Sequence, residues 1–183
     1  MDSAQQDILN FWFEETEPAQ WFQTNPDFDQ AIIDRFEALY ERAALGEFDQ
    51  WQESAGGVLA LCILLDQMPR NMFRNTPQAF ATDSKALEFV KVAIPKGLDR
   101  SLPVLKRRFL YLPYEHSEDL EDQKSCVALF ETIKDEDKLG YDYAIRHYEV
   151  IEQFGRFPHR NIILGRENTK EEEIYLSRPD AGF

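Results

Sequence analysis

Arginine is concentrated in three segments of the chain that contain no aspartate or glutamate. The segments are Gln67–Thr82, Arg100–Tyr114 and Gln153–Arg166, and their 45 residues hold nine of the 20 basic side chains and none of the 34 acidic ones. The other 138 residues carry a net charge of −23, against −14 for the whole chain. A guanidinium group binds a carboxylate or phosphate through two parallel hydrogen bonds. The charge distribution therefore predicts a site for a small carboxylate- or phosphate-bearing anion.

The predicted binding residues lie in the first and third segments, whose loops after Gln67 and Gly155 we expect to meet. His159 is included because a histidine that titrates near neutral pH gains charge beside a bound anion. The alternative interpretation is structural: the arginines bind loop carbonyl groups and helix ends, and Ile162 with its two neighbours returns to the core as a plug. The residues predicted to bind the anion are Arg70, Asn71, Arg74, Arg156, His159 and Arg160.

Three side chains are candidates for acid–base chemistry if the protein is an enzyme that acts on a small anion: Asp66, Glu118 and His159. Asp66 follows the apolar run Val58–Leu65 near the end of a predicted helix, where a carboxylate opposes the helix dipole. We therefore expect Asp66 to be buried and paired with an arginine, and Arg70 is four residues away. The sequence leaves open whether the protein is an enzyme.

The sequence indicates no metal site and no cofactor. The spacings between His116, His147 and His159 match no metal-ligand pattern, and no glycine-rich phosphate loop or serine nucleophile elbow occurs. His147 lies on an apolar helical stripe and is expected as a hydrogen-bonded core side chain. Cys62 and Cys126 have apolar neighbours and are expected as buried, reduced thiols.

The composition narrows the possible partners. An isoelectric point near 4.6 disfavours nucleic acid and anionic membranes, because both select a cationic surface. The longest apolar run has eight residues, too few to cross a bilayer, and the start of the chain shows no signal peptide. We expect a cytoplasmic protein whose partner is a small anionic molecule or a peptide. The oligomeric state is left open.

Helix signals recur along the chain, and strand signals hardly appear. Predicted caps or stops are Ser3 with Gln6, Asn25-Pro26, Gly46, Ser117, Gly155, and Thr169 with Glu172 three residues later. These signals predict one all-α domain over residues 1–183, with seven or eight helices packed as helical hairpins and a frayed tail over 177–183. The predicted helices begin at Ser3, cover 26–46, 58–67, 83–93, 103–111, 117–134 and 139–154, and end with a short helix after Thr169.

Three stretches of the sequence look like parts of a known family: LLDQMPRNMFRNTPQAFATD (Leu64–Asp83), YLPYEHSEDLEDQ (Tyr111–Gln123) and FGRFPHRNIILGR (Phe154–Arg166). Together they resemble the bacterial family catalogued as domain of unknown function 924, and the likeness covers almost the whole chain. The resemblance implies an all-helical fold similar to tetratricopeptide-repeat proteins. It assigns no activity and no catalytic residue to this chain. Such folds often bind peptides on a concave face, so a helical scaffold is a further possibility.

Overall fold

The computed structural model describes residues 2–179 and 181–182, and every regular element in this part of the chain is helical. The π-helical turn Ile63–Gln67 joins α3 to α4 without a break, so the described residues form eight separate helices. The predicted all-α class and helix number are confirmed. The α-helices are α1 (Ser3–Asn10), α2 (Pro26–Ala44), α3 (Ala55–Cys62), α4 (Met68–Met72), α5 (Asp83–Ala93), α6 (Val104–Glu115), α7 (Leu120–Glu131), α8 (Lys138–Phe154) and α9 (Lys170–Leu176).

The helices group into two compact units. Unit 1 comprises Met1–Arg74 and Gln78–Pro113, and unit 2 comprises Asn75–Pro77 and Tyr114–Phe183. Within unit 1, α3 packs against α1 and α5, and α2 packs against α4; within unit 2, α7 packs along α8. The single domain and the tetratricopeptide-like arrangement stay predictions.

The centre of unit 1 is the apolar helix α3 with the π-helical turn that follows it. Every side chain from Val58 to Leu65 is fully buried, as expected for a helix that is apolar around its whole circumference. Gly57 lies at the start of this helix, where an added Cβ would be 2.1 Å from the carbonyl oxygen of Trp51. The glycine therefore permits a close approach between the helix and the preceding turn.

The core of unit 2 forms around Val150 and Ile151 of α8 and the fully buried ring of Phe157. Gly155 ends α8 with φ at 67°, the left-handed conformation that glycine adopts without strain. The chain therefore reverses directly after α8 and brings Phe157 back against that helix. This reversal positions the third arginine-rich segment.

Several predicted helix ends are confirmed, and others are wrong. The helix predicted over 58–67 runs from Ala55 to Met72, and the one predicted to reach 134 ends at Glu131. The side chain of Asn25 caps α2, and Thr169 caps α9 in a capping box with Glu172. Asp2, not Ser3, caps α1, and Asp119, not Ser117, caps α7, because in each case an aspartate one or two residues away accepts the helix N–H groups. Ser117 instead accepts a bond from the backbone nitrogen of Asp119 at 3.2 Å.

A further wrong end is that of α6, which continues through Pro113 to Glu115 instead of ending at Tyr111. Proline breaks helices by removing one backbone donor and by crowding the preceding turn. Pro113 lies in the last turn of α6, where it removes one backbone hydrogen bond, and the helix ends two residues later at Glu115.

The tail predicted to fray, residues 177–183, includes Asp180 and Phe183, which lie outside the described residues. The backbone nitrogen of Ala181 donates to the carbonyl oxygen of Arg178 at 3.2 Å, and fraying stays a prediction. No helix in the described part of the chain is long and apolar enough to cross a membrane.

Candidate functional site

Arg70 lies in α4, directly after the π-helical turn, and binds two aspartates. Its two terminal nitrogens donate to the carboxylate oxygens of Asp83 at 3.0 and 2.9 Å. Its Nη2 is also 3.6 Å from Oδ1 of Asp66, and its Nη1 donates to the Asp66 carbonyl oxygen. One guanidinium group therefore compensates two carboxylates.

Asp66 is fully buried in the π-helical turn. The side-chain amide of Gln67 donates to its Oδ2 at 2.5 Å, and Arg70 supplies the positive charge. The prediction that Asp66 is buried and paired with an arginine is confirmed. Complete burial favours a structural ion pair over a catalytic carboxylate, because a catalytic group must reach its substrate.

Asn71 and Arg74 bind one carboxylate, that of Asp29 in the first turn of α2. Arg74 donates to the two oxygens of Asp29 at 2.8 and 2.7 Å, and Asn71 donates to Oδ1 at 2.7 Å. Burial by itself would raise the pKa of Asp29, but these hydrogen bonds stabilise the charged form and lower the pKa. Asp29 is therefore held in its ionised form.

The arginines of the first segment thus carry no surplus of positive charge within unit 1. Two guanidinium groups, those of Arg70 and Arg74, face the three carboxylates of Asp29, Asp66 and Asp83. An anion that binds to the paired nitrogens here must displace a carboxylate from a bidentate pair. The predicted meeting of this segment with the loop after Gly155 stays a prediction.

Glu118 in unit 2 is a hydrogen-bond acceptor for the third segment. Arg166 donates to its two oxygens at 2.7 and 2.9 Å, and the backbone nitrogen of Phe157 donates to Oε1 at 2.8 Å. Burial alone would raise the pKa of Glu118, but these bonds lower it. Glu118 therefore holds both ends of the loop between Phe157 and Arg166, and its lowered pKa suits an ion pair better than a general acid.

The three histidines lie together in unit 2, next to the ring of Phe157. The ring centroids of His147 and His159 are 5.5 and 5.6 Å from that of Phe157, and the His116 centroid is 6.4 Å from that of His147. The Arg160 guanidinium carbon is 4.6 Å from the Phe157 centroid, and its Nη1 donates to the His116 carbonyl oxygen at 3.1 Å. Sequence analysis missed this cluster, since its members come from the end of α6, the middle of α8 and a loop.

His147 is the buried member of the histidine cluster. Its Nδ1 lies 2.9 Å from the carbonyl oxygen of Tyr143 and 3.5 Å from Oε1 of Glu115, which confirms the predicted hydrogen-bonded core histidine. Burial lowers the pKa of His147 well below its usual value, and the positive groups of His116 and Arg160 lower it further. His147 is therefore neutral at pH 7.

Arg156 borders a pocket of about 550 Å³ in unit 2. Its Nε and Nη2 donate to the two oxygens of Glu172 at 2.6 and 2.7 Å, and Nη2 also donates to the Glu167 carbonyl oxygen at 2.8 Å. Its third nitrogen, Nη1, donates no hydrogen bond to any residue within 2–179 or 181–182. The other residues that line the pocket are Gln153, Phe154, Thr169, Glu171 and Glu172.

The partner of Arg156 is fixed by the cap of α9. Glu172 is buried, and its Oε2 accepts a bond from the backbone nitrogen of Thr169 at 2.7 Å while Thr169 caps the helix. The hydrogen bonds from Arg156, above all, lower the pKa of Glu172 to about 2. The Arg156 side chain is therefore held in one orientation at the pocket.

The predicted plug at Ile162 is wrong. Its side chain is 87 % exposed, because residues 161–165 form a turn closed by a 2.8 Å bond from the Arg166 nitrogen to the Asn161 carbonyl oxygen. That closure places Ile162 at the tip of the turn. Among the described residues, no group of three or more His, Cys, Asp or Glu side chains is arranged to hold a metal ion.

The described residues form an all-helical protein with ion-paired arginines, and comparison with known proteins identifies its family. It belongs to the family described as bacterial protein of unknown function, DUF924, whose model matches residues 8–180. It is also similar to the solved structure of the protein of unknown function ATU0120 from Agrobacterium tumefaciens. The two chains are 42 % identical with a TM-score of 0.90, over 96 % of this chain and 99 % of the other. No curated protein matches the sequence.

Proposed function

We propose that the protein binds a small molecule through a carboxylate group in the pocket lined by Arg156. The observation that carries this proposal is the Nη1 group of Arg156, which makes no hydrogen bond within the described chain and belongs to a side chain that borders a pocket. A volume of about 550 Å³ is within the range of small-molecule sites. The pocket is therefore large enough for a metabolite-sized molecule.

The orientation of Arg156 favours this role. Because Nε and Nη2 already hold Glu172, the direction of the remaining N–H groups is set before a ligand arrives. A preorganised donor loses less conformational entropy on binding than a mobile surface arginine does. Each hydrogen bond to a charged partner contributes about 1.5–3 kcal/mol, so one or two suffice for weak metabolite binding.

A carboxylate suits the pocket better than a phosphate does. Glu171 and Glu172 also line it, and a phosphate carries more negative charge than a carboxylate against these two groups. A carboxylate requires only the single nitrogen that Arg156 offers. The predicted phosphate alternative is therefore the weaker form of the proposal.

The other predicted binding residues are not needed for this site. Arg70, Asn71 and Arg74 hold aspartates of unit 1, and Arg160 with His159 belongs to the histidine cluster. The enzyme alternative, with Asp66, Glu118 or His159 as the acid or base, stays a prediction, as does the peptide-binding scaffold. In the pocket proposal Arg156 binds and orients the ligand.

Nuclear magnetic resonance titration tests the proposal, with 3-phenylpropionate, 4-methylpentanoate and propionate as probes and chloride at equal ionic strength as the salt control. We expect shifts of the Arg156 side-chain nitrogens and of the backbone of residues 153–156 and 169–172. Arg156→Lys keeps a positive charge for Glu172 but removes Nη1, and should lose this response while remaining folded. Arg178→Lys, an exposed arginine of the same unit, is the matched control. Shifts equal to those with chloride would refute the proposal.

A further inference from the structure

We infer that the ligand of the Arg156 pocket is an amino acid: Glu171 binds its ammonium group while Arg156 binds its carboxylate. This inference rests on the proposed function and specifies its ligand class. Glu171 lines the same pocket and is exposed, and its side chain forms no ion pair or hydrogen bond with the part of the chain that the structure describes. The pocket therefore presents one available carboxylate together with one available guanidinium nitrogen.

The charge balance of the pocket favours a zwitterion over a simple anion. Arg156 and Glu172 neutralise each other through a bidentate pair, so Glu171 leaves the lining with a net charge of one negative unit. A simple carboxylate is attracted to Nη1 but repelled by Glu171. An ammonium group on the same molecule removes this repulsion and supplies a second charged hydrogen bond.

The remaining walls define the rest of the ligand. The Phe154 ring is half-buried and is packed against the Tyr175 ring at 5.1 Å between centroids, so it offers a fixed apolar surface. Opposite charges on one small molecule and an apolar side chain describe a free α-amino acid. The side-chain amide of Gln153 has no hydrogen-bond partner within the described residues and is available to the second carboxylate oxygen.

The test compares each amino acid with the matching acid that lacks the amino group. The pairs are L-phenylalanine with 3-phenylpropionate, L-leucine with 4-methylpentanoate, and L-alanine with propionate, and 2-phenylethylamine supplies the ammonium group without the carboxylate. Dissociation constants come from the same resonance titration. We expect at least one amino acid to bind at least about tenfold more tightly than its partner, which is what one added charged hydrogen bond supplies.

Two variants in α9 test whether Glu171 causes the preference for the amino acid over its partner. Glu171→Gln should bring the amino acid and its partner to within about twofold of each other, because the ammonium group loses its charged acceptor. Glu173→Gln removes an equally exposed carboxylate from the same turn that does not line the pocket, and should keep the tenfold preference. A preference that survives Glu171→Gln would overturn the role given to Glu171.

The outcomes separate this inference from the proposal beneath it. Equal binding of each pair to the unmodified protein would overturn the amino-acid inference and leave the carboxylate site in place. No binding by any pair would overturn both. Equal binding of 2-phenylethylamine and L-phenylalanine would show that the carboxylate contributes nothing. That result would overturn the role of Arg156, and with it both the inference and the proposed function. Equal binding of the dipeptide Gly-Phe and L-phenylalanine would show a carboxyl-terminal peptide ligand and overturn the free amino acid.

Discussion

The arginines of the first and third segments have similar sequence surroundings and different environments in the fold. In unit 1, Arg70 and Arg74 are each bidentate to an aspartate, and the fully buried Asp66 adds a third carboxylate. In unit 2, Arg156 and Arg166 pair with glutamates, but Arg160 lies over an aromatic ring among three histidines. In unit 1, both arginines of the first segment are therefore paired with carboxylates, whereas in unit 2 the paired Arg156 also borders a pocket.

The difference shows what a local lack of acids does and does not mean. Most carboxylates that bind these arginines come from far along the chain: Asp83 is 13 residues from Arg70, Asp29 is 45 from Arg74, and Glu118 is 48 from Arg166. Asp66, four residues before Arg70, is the exception. An acid close in sequence would compete for the arginine, because a short loop costs less entropy to close. Segments without acids therefore favour long-range pairs, and an arginine-rich segment is not by itself a binding site.

The largest effect in this comparison is expected when the charge of Asp66 is removed. Asp66→Asn should lower the free energy of unfolding by about 3 kcal/mol, because it breaks a buried pair while Asp83 still holds Arg70. Chemical denaturation measures the loss, with the exposed Asp34→Asn as control. A change below about 1 kcal/mol, the range of surface pairs, would show that the network of unit 1 is not strongly coupled to folding.

The second test uses the location of all three histidines in unit 2. Because folding lowers the pKa of His147, the unfolded chain binds its proton at a higher pH than the folded chain does. The stability that neutral His147 supplies is complete above about pH 6.5 and falls by up to about 1.4 kcal/mol for each pH unit below it. Hydrogen exchange between about pH 6.5 and about pH 5 should therefore show destabilisation of unit 2.

Two controls accompany this pH experiment. Unit 1 contains no histidine, so its exchange, corrected for the intrinsic rate, should not change over the same range. His147→Gln should remove much of the pH dependence from unit 2, while Glu115, His116, His159 and Arg160 still face the position. Equal destabilisation of both units would assign the effect to other groups.

A third, smaller effect is expected from Glu118→Gln. The change weakens the bonds from Arg166 and from the Phe157 backbone, and should cost about 1–2 kcal/mol. Exchange of the amides in residues 157–166 should rise more than that of α7 and α8. Glu121→Gln, on a highly exposed side chain in the first turn of α7, is the control. Unchanged exchange in the loop would show that Glu118 does not hold it.

The smallest effect is expected at the tip of that loop. Ile162→Ser should change the free energy of unfolding by less than about 0.5 kcal/mol, because the side chain is already in water. Ile151→Val, in the buried core of unit 2, should cost about 1 kcal/mol. A larger loss at Ile162 than at Ile151 would restore the interpretation of Ile162 as a core plug.

The sequence predicted best those features whose causes are local. Asn25 with Pro26, and Thr169 with Glu172, specify helix starts through atoms within three residues, and the burial of Asp66 follows from the apolar run before it. The cap predicted at Ser117 was wrong because the side chain of Asp119, two residues later, accepts the helix N–H groups. Local chemistry did not separate two such neighbours.

The long-range features were beyond sequence analysis. Nothing in the spacing of His116, His147 and His159 indicated that they share the surroundings of Phe157. The pocket at Arg156 was equally hidden, since it depends on which of three guanidinium nitrogens Glu172 occupies. Both follow from the packing of a loop against α8, a matter of tertiary contacts.

The π-helical turn Ile63–Gln67 has a consequence for the angular position of the residues that follow it. Each residue of an α-helix turns the chain by about 100°, whereas the i→i+5 bonds of a π-helix place more residues in each turn. The five residues of this turn therefore set the direction in which α4 presents Arg70 relative to α3. The phase of this one helical segment therefore helps to decide which aspartates Arg70 reaches, including Asp66 of the turn itself.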